Sequence, residues 1–383
     1  LSQKYECEIY FKREDLQDIR SYKIRGAYNK IQSLSEEQRK NGVVCASAGN
    51  HAQGVAYIAA NLKIKATIFM PKITPMQKVR KTKHFGAEYV DIQLVGDTFD
   101  EAYENSIQYC TDHNLTFVHP FDDIETVKGQ ATVGLEIIED LPDVDYIISP
   151  VGGGGLIAGV IYYIKHIKPE IKIIGVEPKD ADSLNKALKN GKPITLDKIS
   201  TFVDGASVKR IGECPFSIIK DEVDDVVLVD EDRVCTTLIN TLQEDGIVLE
   251  PAGTLSIDSL KDLGDRIKKK KVLCITSGGN FDFDKLPEVK ERSLRFEGLK
   301  KYYLLYFPQR SGALREFLNF LGPEDDIIRF EYLKKVNKEK GPAIIGIETF
   351  KSENFEVFEK KLINNLFKFE DITKNEIYYD FLI

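Results

Sequence analysis

A lysine at the start of a helix is poorly placed to keep its proton. In Ser21-Tyr22-Lys23-Ile24-Arg25-Gly26-Ala27, apolar residues at Ile24, Ala27, Tyr28, Ile31 and Leu34 follow helical spacing. Lys23 therefore falls at or just before a helix N-terminus, where the helix dipole disfavours an ammonium. Any burial lowers its pKa further. A neutral amine so placed is a candidate Schiff-base former. Taken alone, the segment reads more readily as a surface lysine.

Three further segments carry chemistry of a complementary kind. Ala46-Ser47-Ala48-Gly49-Asn50-His51-Ala52-Gln53-Gly54 lies between a strand pattern and a helix pattern. Backbone N–H groups at such a junction suit a carboxylate or phosphate, and Asn50 adds a neutral amide donor. Pro150-Val151-Gly152-Gly153-Gly154-Gly155-Leu156 is a second strand-to-helix junction. Four successive glycines permit close backbone approach and an anion nest. No Gly-Lys-Ser/Thr follows, which removes the nucleotide P-loop, and the dinucleotide fingerprint spacing is imperfect. A phosphate monoester fits better. Thr276-Ser277-Gly278-Gly279-Asn280 ends another strand pattern and offers the Ser277 hydroxyl.

The elements that must position these groups alternate between short β-rich runs and helical stretches from about residue 40 to about residue 280. Strands are expected at Val43–Ser47, Ala66–Met70, Tyr89–Leu94, Phe117–Val118, Tyr146–Pro150, Ile171–Val176, Val226–Val229 and Val272–Thr276. This alternation predicts an α/β fold with mostly parallel sheets, whose ligands gather at the carboxyl ends of strands. The Gly-rich segments fall at such ends. After Phe296-Glu297-Gly298 the pattern changes to strand Lys301–Phe307, helix Ser311–Leu321, strands Ile327–Lys335 and Ala343–Thr349, helix Phe355–Leu366 and strand Tyr378–Leu382. That order, βαββαβ, predicts a ferredoxin-like module. In its first helix, Leu314, Phe317, Leu318 and Leu321 are expected on one apolar face.

With 53 basic and 61 acidic residues the net charge is −8, which gives no electrostatic reason to expect nucleic acid or an anionic membrane as partner. No stretch reaches the roughly 18 apolar residues of a membrane span, and a signal-peptide pattern is lacking. The chain begins at Leu1, so a preceding segment is expected to be missing. Six scattered cysteines without C-x-x-C spacing read as reduced thiols of a cytoplasmic protein.

Taken together, the segments resemble the fold-type II pyridoxal-phosphate enzymes, and among them the biosynthetic threonine dehydratases. His119-Pro120-Phe121-Asp122-Asp123, Gly129-Gln130, Asp204-Gly205 and Glu250-Pro251-Ala252-Gly253 carry the resemblance alongside the segments above. It implies two open α/β subdomains over residues 1–297, the smaller at about 22–123, and an ACT-like regulatory domain over 299–383. It implies that Lys23 holds the aldehyde of pyridoxal 5'-phosphate and that Asn50 bonds the ring hydroxyl. Gly152, Gly153, Gly154, Gly155 and Leu156 would cradle the phosphate, and Ser277 would face the ring nitrogen. Ser47, Gly49, Asn50 and His51 would grip the substrate carboxylate. Tyr22 stands where the family often has Phe, which preserves an aromatic body.

The activity implied is conversion of L-threonine to 2-oxobutanoate and ammonia by β-elimination, the first step of isoleucine biosynthesis, with L-serine as a second candidate substrate. Isoleucine or valine is the implied effector of the C-terminal module, which could instead serve oligomer packing alone. A homotetramer or homodimer is expected. Serine racemases carry Ser immediately before the Gly-Asn pair, where this chain has Ala48, so racemisation is expected to be poor. Three alternatives remain: a degradative serine/threonine dehydratase, a β-replacement enzyme, and a non-catalytic amino-acid sensor.

Overall fold

The structure is a computed structural model that describes residues 1–334, 338–375 and 377–378. Its chain divides into two compact units, Leu1–Phe281 and Asp282–Ile383.

The first unit contains two sheets in which every pairing is parallel. In the smaller, β2 (Val43–Ala46), β3 (Ala66–Met70), β4 (Val90–Leu94) and β5 (Thr116–Phe117) lie in the order β4-β3-β2-β5. In the larger, β1 (Glu8–Arg13), β6 (Tyr146–Pro150), β7 (Lys172–Pro178), β8 (Asp225–Val229) and β9 (Lys271–Thr276) lie in the order β1-β9-β6-β7-β8. The central strands are almost wholly buried because helices cover both faces of such sheets. Val43–Ala46 is buried at every position, and so is Ile173–Pro178. The helix Gly155–Ile167 is apolar on nearly all sides and lies within the larger core.

Strand β1 does not emerge from the hydrophobic pattern. It is an edge strand, paired only with β9 and carrying Glu8, Lys12 and Arg13, so one edge needs no apolar neighbour. Elsewhere the expected strands are present, with ends shifted by one or two residues at several. All six cysteines are free: Cys7, Cys45, Cys235 and Cys274 are buried, and Cys110 and Cys214 are partly exposed. Among the described residues no helix is long and apolar enough to cross a membrane.

The second unit begins with the helix Leu286–Phe296 and continues with an antiparallel sheet. Its strands β10 (Lys300–Pro308), β11 (Asp326–Tyr332), β12 (Lys340–Glu348) and β13 (Lys368–Asp371) lie in the order β11-β12-β10-β13. With helices at Ala313–Leu318 and Glu353–Asn364, this is the ferredoxin-like order. Two expectations change. The closing strand is Lys368–Asp371, ahead of the expected 378–382, of which residues 379–382 lie outside the described ones. The first helix buries Ala313 and Phe317, with Phe320 buried just beyond its end, while Leu314 and Leu318 are 44% and 46% exposed. Spacing of i, i+4 and i+7 meets the core; of the expected face, Phe317 and Leu321 pack on the core and Leu314 and Leu318 do not.

Candidate active site

The helix Lys23–Gln32 starts at the lysine itself. Its position is set by the backbone ahead of it: Tyr22 donates its N–H to the Ser277 carbonyl at 3.2 Å, and Ser21 forms an isolated antiparallel bridge with Gly278. The amine and the end of β9 are thereby joined through main chain. Lys23 Nζ donates to the Pro120 carbonyl at 2.7 Å and lies 5.3 Å from the Tyr22 ring centre and 6.0 Å from that of Phe121. Burial lowers its pKa to about 8, against an opposing pull from the Glu250 carboxylate.

Phe121 links this amine to the glycine loop. A Cβ added at Gly153 would fall 2.3 Å from the Phe121 ring, and one at Gly155 would fall 3.0 Å from Phe121 Cβ. At Gly152 the obstacle is the Gly205 carbonyl oxygen, at 2.9 Å. Gly154 has φ +88°, in the left-handed region that favours glycine. The four glycines thus let the loop lie against Phe121 and Gly205, and the helix Gly155–Ile167 starts immediately behind it. Leu156 is buried in the core, so only its backbone is available to a ligand.

Asn50 opens the helix Asn50–Leu62, directly after β2. Its Nδ2 donates to Glu250 Oε1 at 2.7 Å, and its Oδ1 accepts from Asn280 Nδ2 at 2.6 Å. A Cβ at Gly278 would meet both Glu250 Oε1 at 2.3 Å and Asn50 Nδ2 at 3.3 Å, so the Ser277 segment lies against this pair. The Ser277 side chain is buried. Ser47 Oγ accepts from the Gly49 N–H at 3.3 Å. No atom lies within 4 Å of a Cβ built on Gly49, which leaves open space at the helix start.

His51 is buried, with Nε2 2.7 Å from the Val118 carbonyl oxygen. That contact requires the proton on Nε2, and burial, aided by the Lys23 charge, lowers the pKa to about 3. The ring is therefore neutral and tied to the Val118 carbonyl, so the backbone N–H of His51, at the helix start, is the group left for an anion. Glu250 is the principal site residue to which sequence reasoning attached no role. It is buried and its pKa is raised to about 8, chiefly by desolvation and then by Asp204. Pro120, Phe121 and Asn280 stand in segments that the sequence singled out, but with no role of their own, and Lys81 stands in none of them.

Residues 1–278 match the family model described as pyridoxal-phosphate dependent enzyme. The chain belongs to that family. Residues 291–382 match the C-terminal regulatory domain of threonine dehydratase. Among curated relatives, the biosynthetic L-threonine dehydratase of Halalkalibacterium halodurans is 51% identical over all of this chain and 93% of its own length. Its counterpart in Bacillus subtilis is 49% identical, over all of this chain and 91% of that protein. Among solved structures, the processed form of threonine deaminase isoform 2 from Solanum lycopersicum superposes with a TM-score of 0.73 at 40% identity, covering 76% of this chain and 85% of that one. Maize serine racemase gives a TM-score of 0.70 at 33% identity, covering 77% and 90%.

The residues present fit the family's cofactor. A phosphate needs an anion nest of backbone N–H groups, and the close packing of this loop on Gly205 and Phe121 is open only to glycine at 152 and 153. An aldehyde needs an amine that is readily neutral, and Lys23 is one. As a pyridoxal-phosphate-dependent enzyme, the chain carries both within one site, with Phe121 between them.

Proposed function

We propose that this chain is a threonine ammonia-lyase, forming 2-oxobutanoate and ammonia from L-threonine, with catalysis in the first unit and regulation in the second. The observation that carries the reading is the lowered pKa of Lys23 between a glycine loop and the Ser277 segment. The similarity to biosynthetic threonine dehydratases over the whole chain supports the substrate class.

In this reading Lys23 would attach the cofactor, Gly152 to Gly155 and the Leu156 N–H would hold its phosphate, Asn50 would donate to its ring hydroxyl and Ser277 would face its ring nitrogen. When bound, the cofactor supplies an electron sink for the pair left as the substrate Cα–H bond breaks. Ser47 and the backbone N–H groups of Gly49, Asn50 and His51 hold the substrate carboxylate at the helix start. Cα would then lie beside Lys23; the substrate amine would displace Lys23 from the cofactor, and the freed amine would take the Cα proton as general base. The β-hydroxyl would then leave with a proton as water, and the released enamine would tautomerise and be hydrolysed to 2-oxobutanoate and ammonia. Ser277, a neutral hydroxyl, would meet the ring nitrogen without enforcing the full charge that a carboxylate partner would, which would favour prompt elimination over transamination.

Ala48 separates this reading from racemisation. Proton return to the opposite face needs a titratable group there, and a methyl supplies none. The second unit takes isoleucine or valine as effector, in keeping with its match to a regulatory domain. The test is 2-oxobutanoate release from threonine by wild type and Lys23→Ala, with and without isoleucine. Wild type should turn over, Lys23→Ala should not, and isoleucine should lower the rate. Turnover by Lys23→Ala would end the proposal.

A further inference from the structure

Asn50 can offer a ligand either an N–H or an oxygen, depending on which way its amide is turned, and its neighbours decide which. Asn280 lies between Asn50 and Lys81. Lys81, on the helix Met76–Gly86, directs its Nζ at Asn280 Oδ1. On the other side, Asn280 Nδ2 donates to the Ile19 carbonyl at 2.7 Å. An ammonium cannot accept and a carbonyl cannot donate. Both ends of the Asn280 amide are therefore determined, and the face it turns to Asn50 is Nδ2. Asn50 must answer with Oδ1, at 2.6 Å, which turns its own Nδ2 to Glu250 Oε1 at 2.7 Å. One Nδ2 proton is used there and one is left for a ligand. The reversed amide would set donor against donor at Asn280.

We propose that Lys81 is a positioning residue for the cofactor site: acting through Asn280, it locks the Asn50 amide so that the bound cofactor's ring hydroxyl meets an N–H and never the amide oxygen. The proposal rests on the reading that Asn50 faces that hydroxyl. Lys81, Asn280, Asn50 and Glu250 come from four separate segments, and the direction of every bond between them follows from an ammonium at one end and an acceptor oxygen at the other. No other orientation satisfies all four groups. An Asn50 oxygen turned to the ring would repel the hydroxyl's oxygen whenever that group is ionised.

The experiment titrates pyridoxal 5'-phosphate into the apoenzyme and follows the absorbance of the bound form. Lys81→Met should bind about five- to tenfold more weakly, the loss of one well-directed hydrogen bond. Lys81→Arg, which still only donates, should recover most of that affinity. Asn280→Asp preserves size but sets a carboxylate oxygen against Asn50 Oδ1, and should weaken binding at least as much as Lys81→Met. Wild-type affinity in both Lys81→Met and Asn280→Asp would overturn the lock. Equal losses in Lys81→Met and Lys81→Arg would overturn it too, because packing and not donor direction would then be responsible. A wild-type apoenzyme that takes up no cofactor would instead defeat the functional reading on which the lock rests.

Discussion

Lys23 Nζ donates a hydrogen bond to the carbonyl oxygen of Pro120 at 2.7 Å, across 97 residues of sequence. That contact holds the amine of the helix start against the segment that also supplies Phe121 to the glycine loop. It also fixes where the amine waits, in surroundings that lower its pKa to about 8.

The first prediction concerns how the amine reacts. Only the neutral form attacks an aldehyde, so uptake of pyridoxal 5'-phosphate by the apoenzyme should accelerate roughly tenfold per pH unit up to about pH 8 and then level off. Stopped-flow absorbance across pH gives the profile. A rate still climbing toward pH 10, the range of an ordinary lysine, would show that the amine is not desolvated.

Two glycines of the site should respond differently to the same methyl group. Gly153→Ala drives a Cβ to within 2.3 Å of the Phe121 ring, and should cost about 1–3 kcal/mol of stability. Gly49→Ala meets no atom within 4 Å and should fold with a change of less than about 0.5 kcal/mol. Its methyl would occupy the open space at the helix start, so the substrate KM should rise. Thermal denaturation and steady-state kinetics separate the two. A destabilised Gly49→Ala protein would contradict the open space.

Glu250 makes the apoenzyme pH-sensitive in a direction opposite to most carboxylates. Its folded pKa is raised from 4.5 to about 8. Between those values the folded state keeps a proton that the unfolded chain releases, so stability falls as pH rises through the window. Glu177, also raised to about 8, adds to this fall, while His51, lowered to about 3, acts in the opposite sense below its ordinary pKa. Comparing wild type with Glu250→Gln cancels those shared contributions. From about pH 5 to about pH 8 the wild-type Tm should drop relative to the variant. Parallel Tm curves would remove Glu250 as the cause.

The helix of the second unit offers a paired test. Phe317 is fully buried, whereas Leu314 is 44% exposed. Phe317→Ala should cost about 3–5 kcal/mol, and Leu314→Ala less than about 0.5 kcal/mol. Chemical denaturation of the full chain reads both. A cost at Leu314 as large as that at Phe317 would restore the apolar face expected from spacing.

Much of the architecture was legible because parallel strands buried on both faces must be continuous apolar runs. Val43–Ala46 and Tyr146–Pro150 declare themselves in this way. Strand β1 did not, since an edge position tolerates Glu8, Lys12 and Arg13. The helix face at Leu314 and Leu318 misled because a leucine looks alike in a sequence whether it is covered or not.

By themselves the residues determined that an early lysine begins a helix, that glycines line a strand-to-helix turn and that an asparagine opens another helix. These are local matters, settled by backbone sterics, helix spacing and missing side chains. Only the folded chain decided that Pro120, Phe121, Glu250, Lys81 and Asn280 gather around them, and so decided the pKa of Lys23 and the direction of the Asn50 amide. Desolvation and hydrogen-bond direction depend on which distant groups become neighbours, and no local pattern encodes that.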